Sequence, residues 1–134
     1  MTGLSNPASL SVSVLIVDDS ADTRAMYECA FEHAGFRVLQ ADNGADGLFR
    51  ALDELPDVIV TDLSIPRIDG LELLARIHAH PRTTRIPVVV VSGWGDAETA
   101  RRAMAAGAAA FLVKPCSPES LIDDVRRALS LTAA

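Results

Sequence analysis

Five short apolar runs punctuate the chain, and each stops abruptly on a polar residue or on glycine and proline. Residues 12–17, apolar but for Ser13, run up to Asp18, Asp19 and Ser20. Residues 58–60 run into Asp62, and 86–91 halt at Ser92-Gly93-Trp94-Gly95. Residues 109–113 end on Lys114-Pro115. Runs of this length, rich in Val and Ile, read as strands buried on both faces. The segment 36–41 differs, setting Phe36 and Val38 against Arg37 and Gln40, as a half-exposed strand near a sheet edge would.

Between the runs the period changes to that of a helix. Helices are predicted over 21–34, stopped by Gly35; over 45–55, after an Asn43-Gly44 turn and closed by Pro56; and over 71–80, ended by Pro81. A fourth spans 97–106, capped by Asp96 and stopped by Gly107, and a fifth 118–129. The predicted inner stripes are Leu48, Leu52 and Leu55, then Leu73, Leu74 and Ile77, then Ile122, Val125 and Leu129. Strict strand-helix alternation requires a parallel sheet with right-handed crossovers and helices on both faces. The fold class is therefore α/β, a doubly wound five-stranded sheet of the flavodoxin-like order 2-1-3-4-5. Residues 1–11 read as a flexible lead-in, 12–130 as the domain and 131–134 as a tail.

Composition narrows the picture. At 134 residues and 49% hydrophobic, the chain is long enough for one core without disulfide or structural metal. Cys29 and Cys116 lack metal-ligand spacing and suit a reducing compartment, so a cytoplasmic protein is expected. A net charge of -6 argues against direct nucleic-acid binding or attraction to an anionic membrane, and no apolar stretch approaches a bilayer span.

In the order 2-1-3-4-5 the switch point lies between the first and third strands, which should bring Asp18, Asp19 and Asp62 to one edge. Ser92 and Lys114 end the fourth and fifth strands at the same edge. A strand-ending aspartate can simply cap the next turn, so the neighbours decide. Carboxylates this crowded repel by roughly 4 kcal/mol per pair at 4 Å and an effective dielectric near 20. A divalent cation would offset that, and all-oxygen ligation favours Mg²⁺ or Mn²⁺, with phosphate completing the shell. Lys114 is the only lysine among 12 basic residues, a point charge suited to a phosphoryl oxygen or carboxylate, and Ser92 offers a hydroxyl donor.

These residues carry a resemblance. The pair Asp18-Asp19, the run Asp62-Pro66-Gly70, the step Ser92-Gly93 and the pair Lys114-Pro115, with Phe111 three residues before the lysine, resemble the receiver domain of two-component response regulators over nearly the whole chain. The resemblance implies that Asp62 accepts a phosphoryl group from a phosphohistidine on a sensor histidine kinase or histidine phosphotransfer protein. It implies a Mg²⁺ held by Asp18, Asp19, Asp62 and the backbone carbonyl of Ser64. Lys114 and Ser92 would grip the phosphoryl oxygens, and Ser92 with Phe111 would form the switch. The fourth helix, fifth strand and fifth helix would meet a downstream partner. Arg101, Arg102, Arg126 and Arg127 could give that face local basic character, although charge pairs of this kind are more often solvated helix surface.

Ile65 stands where methionine is common, a packing change, and Phe111 lacks a tyrosine's hydroxyl. Trp94 could shield the phosphoryl group, bind a partner or cover the sheet edge. His33, His78 and His80 show no ligand spacing with the acids. The expected role is a signalling switch that catalyses only its own phosphoryl transfer and loss, not an enzyme with a turnover substrate. The rival is a binding module of the same fold that signals without phosphorylation. A stand-alone regulator and a piece of a longer protein remain equally open.

Overall fold

The computed structural model describes residues 11–133, with side chains through Leu131. Ten elements alternate strictly: β1 (Ser13–Val17), α1 (Ala21–His33), β2 (Arg37–Ala41), α2 (Gly44–Glu54), β3 (Val58–Asp62), α3 (Gly70–Ala79), β4 (Val88–Ser92), α4 (Ala97–Ala105), β5 (Ala110–Val113) and α5 (Pro118–Ala133). The strands pair in parallel in the order β2-β1-β3-β4-β5. Every residue of β1, β3 and β4 is buried, which is why these segments read as unbroken apolar runs.

The period of two sorts each strand between two cores. Val14, Ile16, Val58, Val60, Val89 and Val91 face α1 and α5, packing with Phe31, Leu121 and Val125. Leu15, Val17, Ile59, Val88 and Val90 face α2, α3 and α4, packing with Ala51, Leu73, Leu74, Ile77 and Ala103. Burying both faces leaves only the C-terminal edge of the sheet for polar chemistry.

The helices start where short polar side chains accept backbone N–H groups: Ser20 from Thr23, Asn43 from Asp46, Asp69 from Glu72, Asp96 from Thr99, and Ser117 from Ser120. Asp69 and Ser117 are caps the sequence pattern did not single out. At the far end of α3, the buried Thr83 hydroxyl donates to the Ile77 carbonyl at 2.6 Å.

Three expectations change. The buried stripe of α2 is Gly44, Gly47 and Ala51, and the leucines flank it, with Leu55 exposed in a left-handed C-cap. Small residues win because the helix lies almost on β1: a Cβ at Gly47 would sit 3.0 Å from Val17 Cγ2. The fifth helix runs on to Ala133 and takes in most of the expected tail, since no Gly or Pro follows Leu129 to stop it. The fourth strand begins at Val88; Pro87 just before it has no N–H to donate, though its carbonyl accepts the Ile59 N–H of β3 at 3.0 Å. The lead-in over residues 1–11 lies almost wholly outside the described residues.

Candidate functional site

Register decides which carboxylates meet. Val17 of β1 pairs with Thr61 of β3, so the next residue on each strand, Asp18 and Asp62, emerges side by side at the C-terminal edge. Both are buried, at 3% and 8% exposure. Two buried carboxylates need a cation, and Lys114 supplies it: its ammonium donates to Asp62 Oδ2 at 2.6 Å and to Asp18 Oδ2 at 3.0 Å.

Each carboxylate is oriented by its own loop as well. Asp62 Oδ1 accepts the Ser64 N–H at 3.0 Å, and Asp18 Oδ1 accepts the Ser20 N–H at 2.9 Å. The loop after Asp62 is compact, with the Gly70 N–H donating to the Leu63 carbonyl at 2.9 Å. A Cβ at Gly70 would come within 2.4 Å of the Asp62 carbonyl oxygen, so only glycine allows this closure. The same loop abuts the start of α2, where the Gly44 N–H donates to the Pro66 carbonyl.

The expected convergence of three acids is realised as two. Asp19 is exposed and makes no hydrogen bond or ion pair among the described residues. Side chains of successive residues leaving a strand point to opposite sides, so Asp18 meets Lys114 in the buried edge while Asp19 stays on its exposed lip. Accordingly, among the described residues no three Asp, Glu, His or Cys side chains gather closely enough to hold a metal. The donor set at the edge still fits a hard divalent cation: two buried carboxylates with an exposed third adjacent, all oxygen, share one ammonium, leaving excess negative charge. The three histidines lie elsewhere, on α1, α3 and just beyond α3.

Ser92 ends β4 and is fully buried. Its carbonyl accepts the Lys114 N–H at 2.8 Å, and its hydroxyl accepts the Trp94 N–H at 3.0 Å. It makes no bond to Asp62. Trp94 is 67% exposed, which sets aside a covering role at the sheet edge. Phe111 is half-buried against the core shared with α3 and α4. Of the expected basic face, Arg101 pairs with Glu98, Arg127 with Asp124, and Arg126 donates to the Ala34 carbonyl and lies 6.0 Å over the Phe36 ring. Two of the four charges there are thus paired with carboxylates on their own helix, and Arg126 has a carbonyl acceptor.

Sequence reasoning missed the wall beside Lys114. Tyr27 of α1 packs there, its hydroxyl 3.9 Å from Cys116 Sγ, and a groove of about 390 Å³ opens between Met26, Tyr27, Pro115 and Cys116. Burial first, then the neighbouring Cys116, pushes the Tyr27 phenol up to about 12. Burial alone would lower the Lys114 ammonium, but the hydrogen bonds and charges of Asp62 and Asp18 outweigh it and raise it above its ordinary value. Both groups hold their protons more tightly folded than unfolded. Their contribution to stability is thus complete below about pH 10 and lost as pH climbs. As Tyr27 is the only tyrosine, its ultraviolet titration is unambiguous: tyrosinate should form near pH 12 in the folded protein, with urea stability falling as pH rises above 10. Ionisation near pH 10 in the native state would contradict this burial.

Residues 14–126 match the family model described as "Response regulator receiver domain". The chain belongs to that family. The receiver is 36% identical over 118 residues to the regulatory protein AtoC of Escherichia coli, covering 88% of this chain and 25% of that protein. It is 32% identical over 120 residues to the phosphate regulon transcriptional regulatory protein PhoB of Pseudomonas aeruginosa, covering 90% of this chain and 52% of that one. The chain thus spans from about a quarter to about half of these two relatives. Among solved structures it is similar to the chemotaxis response regulator CheY4 of Vibrio cholerae, with TM-score 0.83, 30% identity, and coverage of 88% of this chain and 98% of that one. A receiver domain protein of Methanospirillum hungatei gives TM-score 0.86 at 25% identity, covering 92% and 97%. Receivers of this family take signals from histidine kinases and act on downstream effectors, and they bind Mg²⁺ at the acidic edge. No helix among the described residues is long and apolar enough to cross a membrane.

Proposed function

We propose that this receiver is a phospho-acceptor switch in which Asp62 takes a phosphoryl group from a phosphohistidine on a sensor histidine kinase or a histidine phosphotransfer protein. The observation that carries the reading is the single ammonium of Lys114 shared by the buried carboxylates of Asp62 and Asp18. An Asp62 carboxylate oxygen attacks phosphorus, the P–N bond breaks, and its electron pair returns to the imidazole of the donor. Asp18, Asp19 and Asp62, with the Ser64 carbonyl, would hold Mg²⁺. When bound, that ion supplies charge neutralisation for the equatorial phosphoryl oxygens and favours ionised Asp62.

The chain's own residues do the rest. The Ser64 N–H fixes one Asp62 oxygen, and burial excludes competing solvent. As the phosphoryl group forms on Asp62, the Lys114 ammonium follows the charge onto its oxygens. Ser92 becomes the second donor. Its hydroxyl donates to no described residue, so turning it toward a phosphoryl oxygen costs only the bond it accepts from Trp94. Releasing that bond frees the loop over 93–95, which rests on Val113 of β5: a Cβ at Gly95 would meet both Val113 methyls at 2.9 Å. The half-buried Phe111 lies on the same strand, so the change reaches β5 and α4, the surface proposed for the downstream partner.

Trp94, the only tryptophan, reports the step. Beryllofluoride with Mg²⁺ should change its emission, and Ser92→Ala, which lacks the hydroxyl, should lose most of that response while retaining Mg²⁺ binding. An unchanged spectrum in the wild type would mean that the loop does not follow the site. Transfer itself is tested by mixing the protein with a radiolabelled phosphohistidine protein: label should move to this chain as an alkali-labile acyl phosphate. Label that stays on the donor at all Mg²⁺ concentrations would contradict the reading.

A further inference from the structure

Every polar group of Asp18 has a partner. Its N–H donates to the Ala41 carbonyl, one carboxylate oxygen accepts from Ser20 and the other from Lys114. Its carbonyl oxygen accepts from Arg24 Nη1 at 2.7 Å, and Arg24 Nε is itself held by Gln40 Oε1 at 3.1 Å. The contrast with Asp19 is complete, since that side chain has no hydrogen-bonding or ionic partner among the described residues.

A carbonyl oxygen and the following N–H belong to one rigid plane. The Asp18 carbonyl is the near half of the peptide that leads to Asp19, so the guanidinium that grips it fixes that plane and with it the origin of the Asp19 side chain. Nothing else holds Asp19 from its own side. Resting on the reading of this edge as a Mg²⁺-binding phospho-acceptor site, we infer that Arg24 is a positioning residue that aims Asp19 at the divalent cation through the Asp18–Asp19 peptide. The bridge to Gln40 matters because it ties α1 to β2 and stops the guanidinium from swinging out. Beyond it lies a cleft of about 350 Å³ lined by Arg24, Gln40, Asp42, Asp46, Phe49 and Arg50. A shorter side chain there enlarges an open cleft instead of creating an internal void, so the fold should tolerate substitution.

The sign of one measurement separates positioning from simple charge. Arg24 is a cation near a cation site, so on Coulomb grounds alone its removal strengthens Mg²⁺ binding. If Arg24 acts by aiming Asp19, removal weakens binding, by about 10-fold as is usual when an outer partner of a metal ligand is lost. Calorimetric Mg²⁺ titration of wild type, Arg24→Ala and Arg24→Lys decides. Lysine keeps the charge but has one head for two acceptors, and should fall between the other two. In the metal-free protein, the Asp18 carbonyl ¹³C and Asp19 amide ¹⁵N shifts should move in Arg24→Ala while those of the sheet core stay. Equal or tighter binding by Arg24→Ala, or weaker binding with both shifts unmoved, overturns the positioning role and leaves the site reading standing. A wild type that binds no Mg²⁺ overturns the site reading, and the positioning role with it.

Discussion

Replacing Lys114 with alanine should destabilise the metal-free protein by about 3 kcal/mol, at the lower end of what removing one member of a buried ion pair costs because the lysine is partly exposed. The ammonium serves two carboxylates, at 2.6 and 3.0 Å, that are themselves buried. Without it they face each other across the end of β1 and β3 with only the Ser20 and Ser64 amides for compensation. Urea unfolding in chelator measures the loss. Two controls identify its source. Adding Mg²⁺ should return much of the stability, since a ligand bound only by the native state stabilises by mass action. In an Asp62→Asn background the same Lys114→Ala change should cost clearly less, because one of the two stranded charges is gone. A loss below about 1 kcal/mol would mean that the shared ammonium contributes little to the fold, and equal losses in both backgrounds that its effect does not run through Asp62.

The fold was legible because parallel sheets buried on both faces leave an unmistakable trace. Val58 to Val60 and Val88 to Val91 are apolar without a break since neither face meets water, and the glycines Gly35 and Gly107, both at positive φ, ended the helices where expected. What hydrophobic pattern could not show was which helix face lies inward when the helix sits close. Leu48, Leu52 and Leu55 form a convincing stripe, yet α2 buries Gly44, Gly47 and Ala51 because contact with Val17 and Ile68 leaves no room for longer side chains. Size, and not hydrophobicity, chose that face.

At the site, topology and register were enough to place Asp18, Asp62, Ser92 and Lys114 at one edge, since each ends a strand or directly follows one. They were not enough to tell Asp18 from Asp19. That distinction depends on the pleat, which turns neighbouring side chains to opposite sides, and on a one-residue register between β1 and β3. Arg24, Tyr27 and Cys116 were illegible for a different reason. They reach the site from α1 and from the turn after β5, so their nearness is a product of helix packing and leaves no local signature. Of the four arginines of α4 and α5, Arg101 and Arg127 pair with carboxylates a turn away and Arg126 donates to the Ala34 carbonyl just past α1, partners that the charge pattern alone did not show.

The second large effect is on chemistry. Asparagine in place of Asp62 keeps the shape but offers one acceptor oxygen where the carboxylate offers two, so either the Lys114 ammonium or the Ser64 amide loses its partner. That costs about 1 kcal/mol of stability, which a domain of this size tolerates. It removes the nucleophile outright, because an amide has no charged oxygen to attack phosphorus. The most direct measurement is therefore the intact mass of wild type and Asp62→Asn after incubation with acetyl phosphate and Mg²⁺, with circular dichroism on both. The wild type should gain one phosphoryl group, lost again on mild alkali, and the folded variant should gain none. Equal labelling of the two proteins, or no labelling of a wild type that binds Mg²⁺, would contradict Asp62 as the phospho-acceptor.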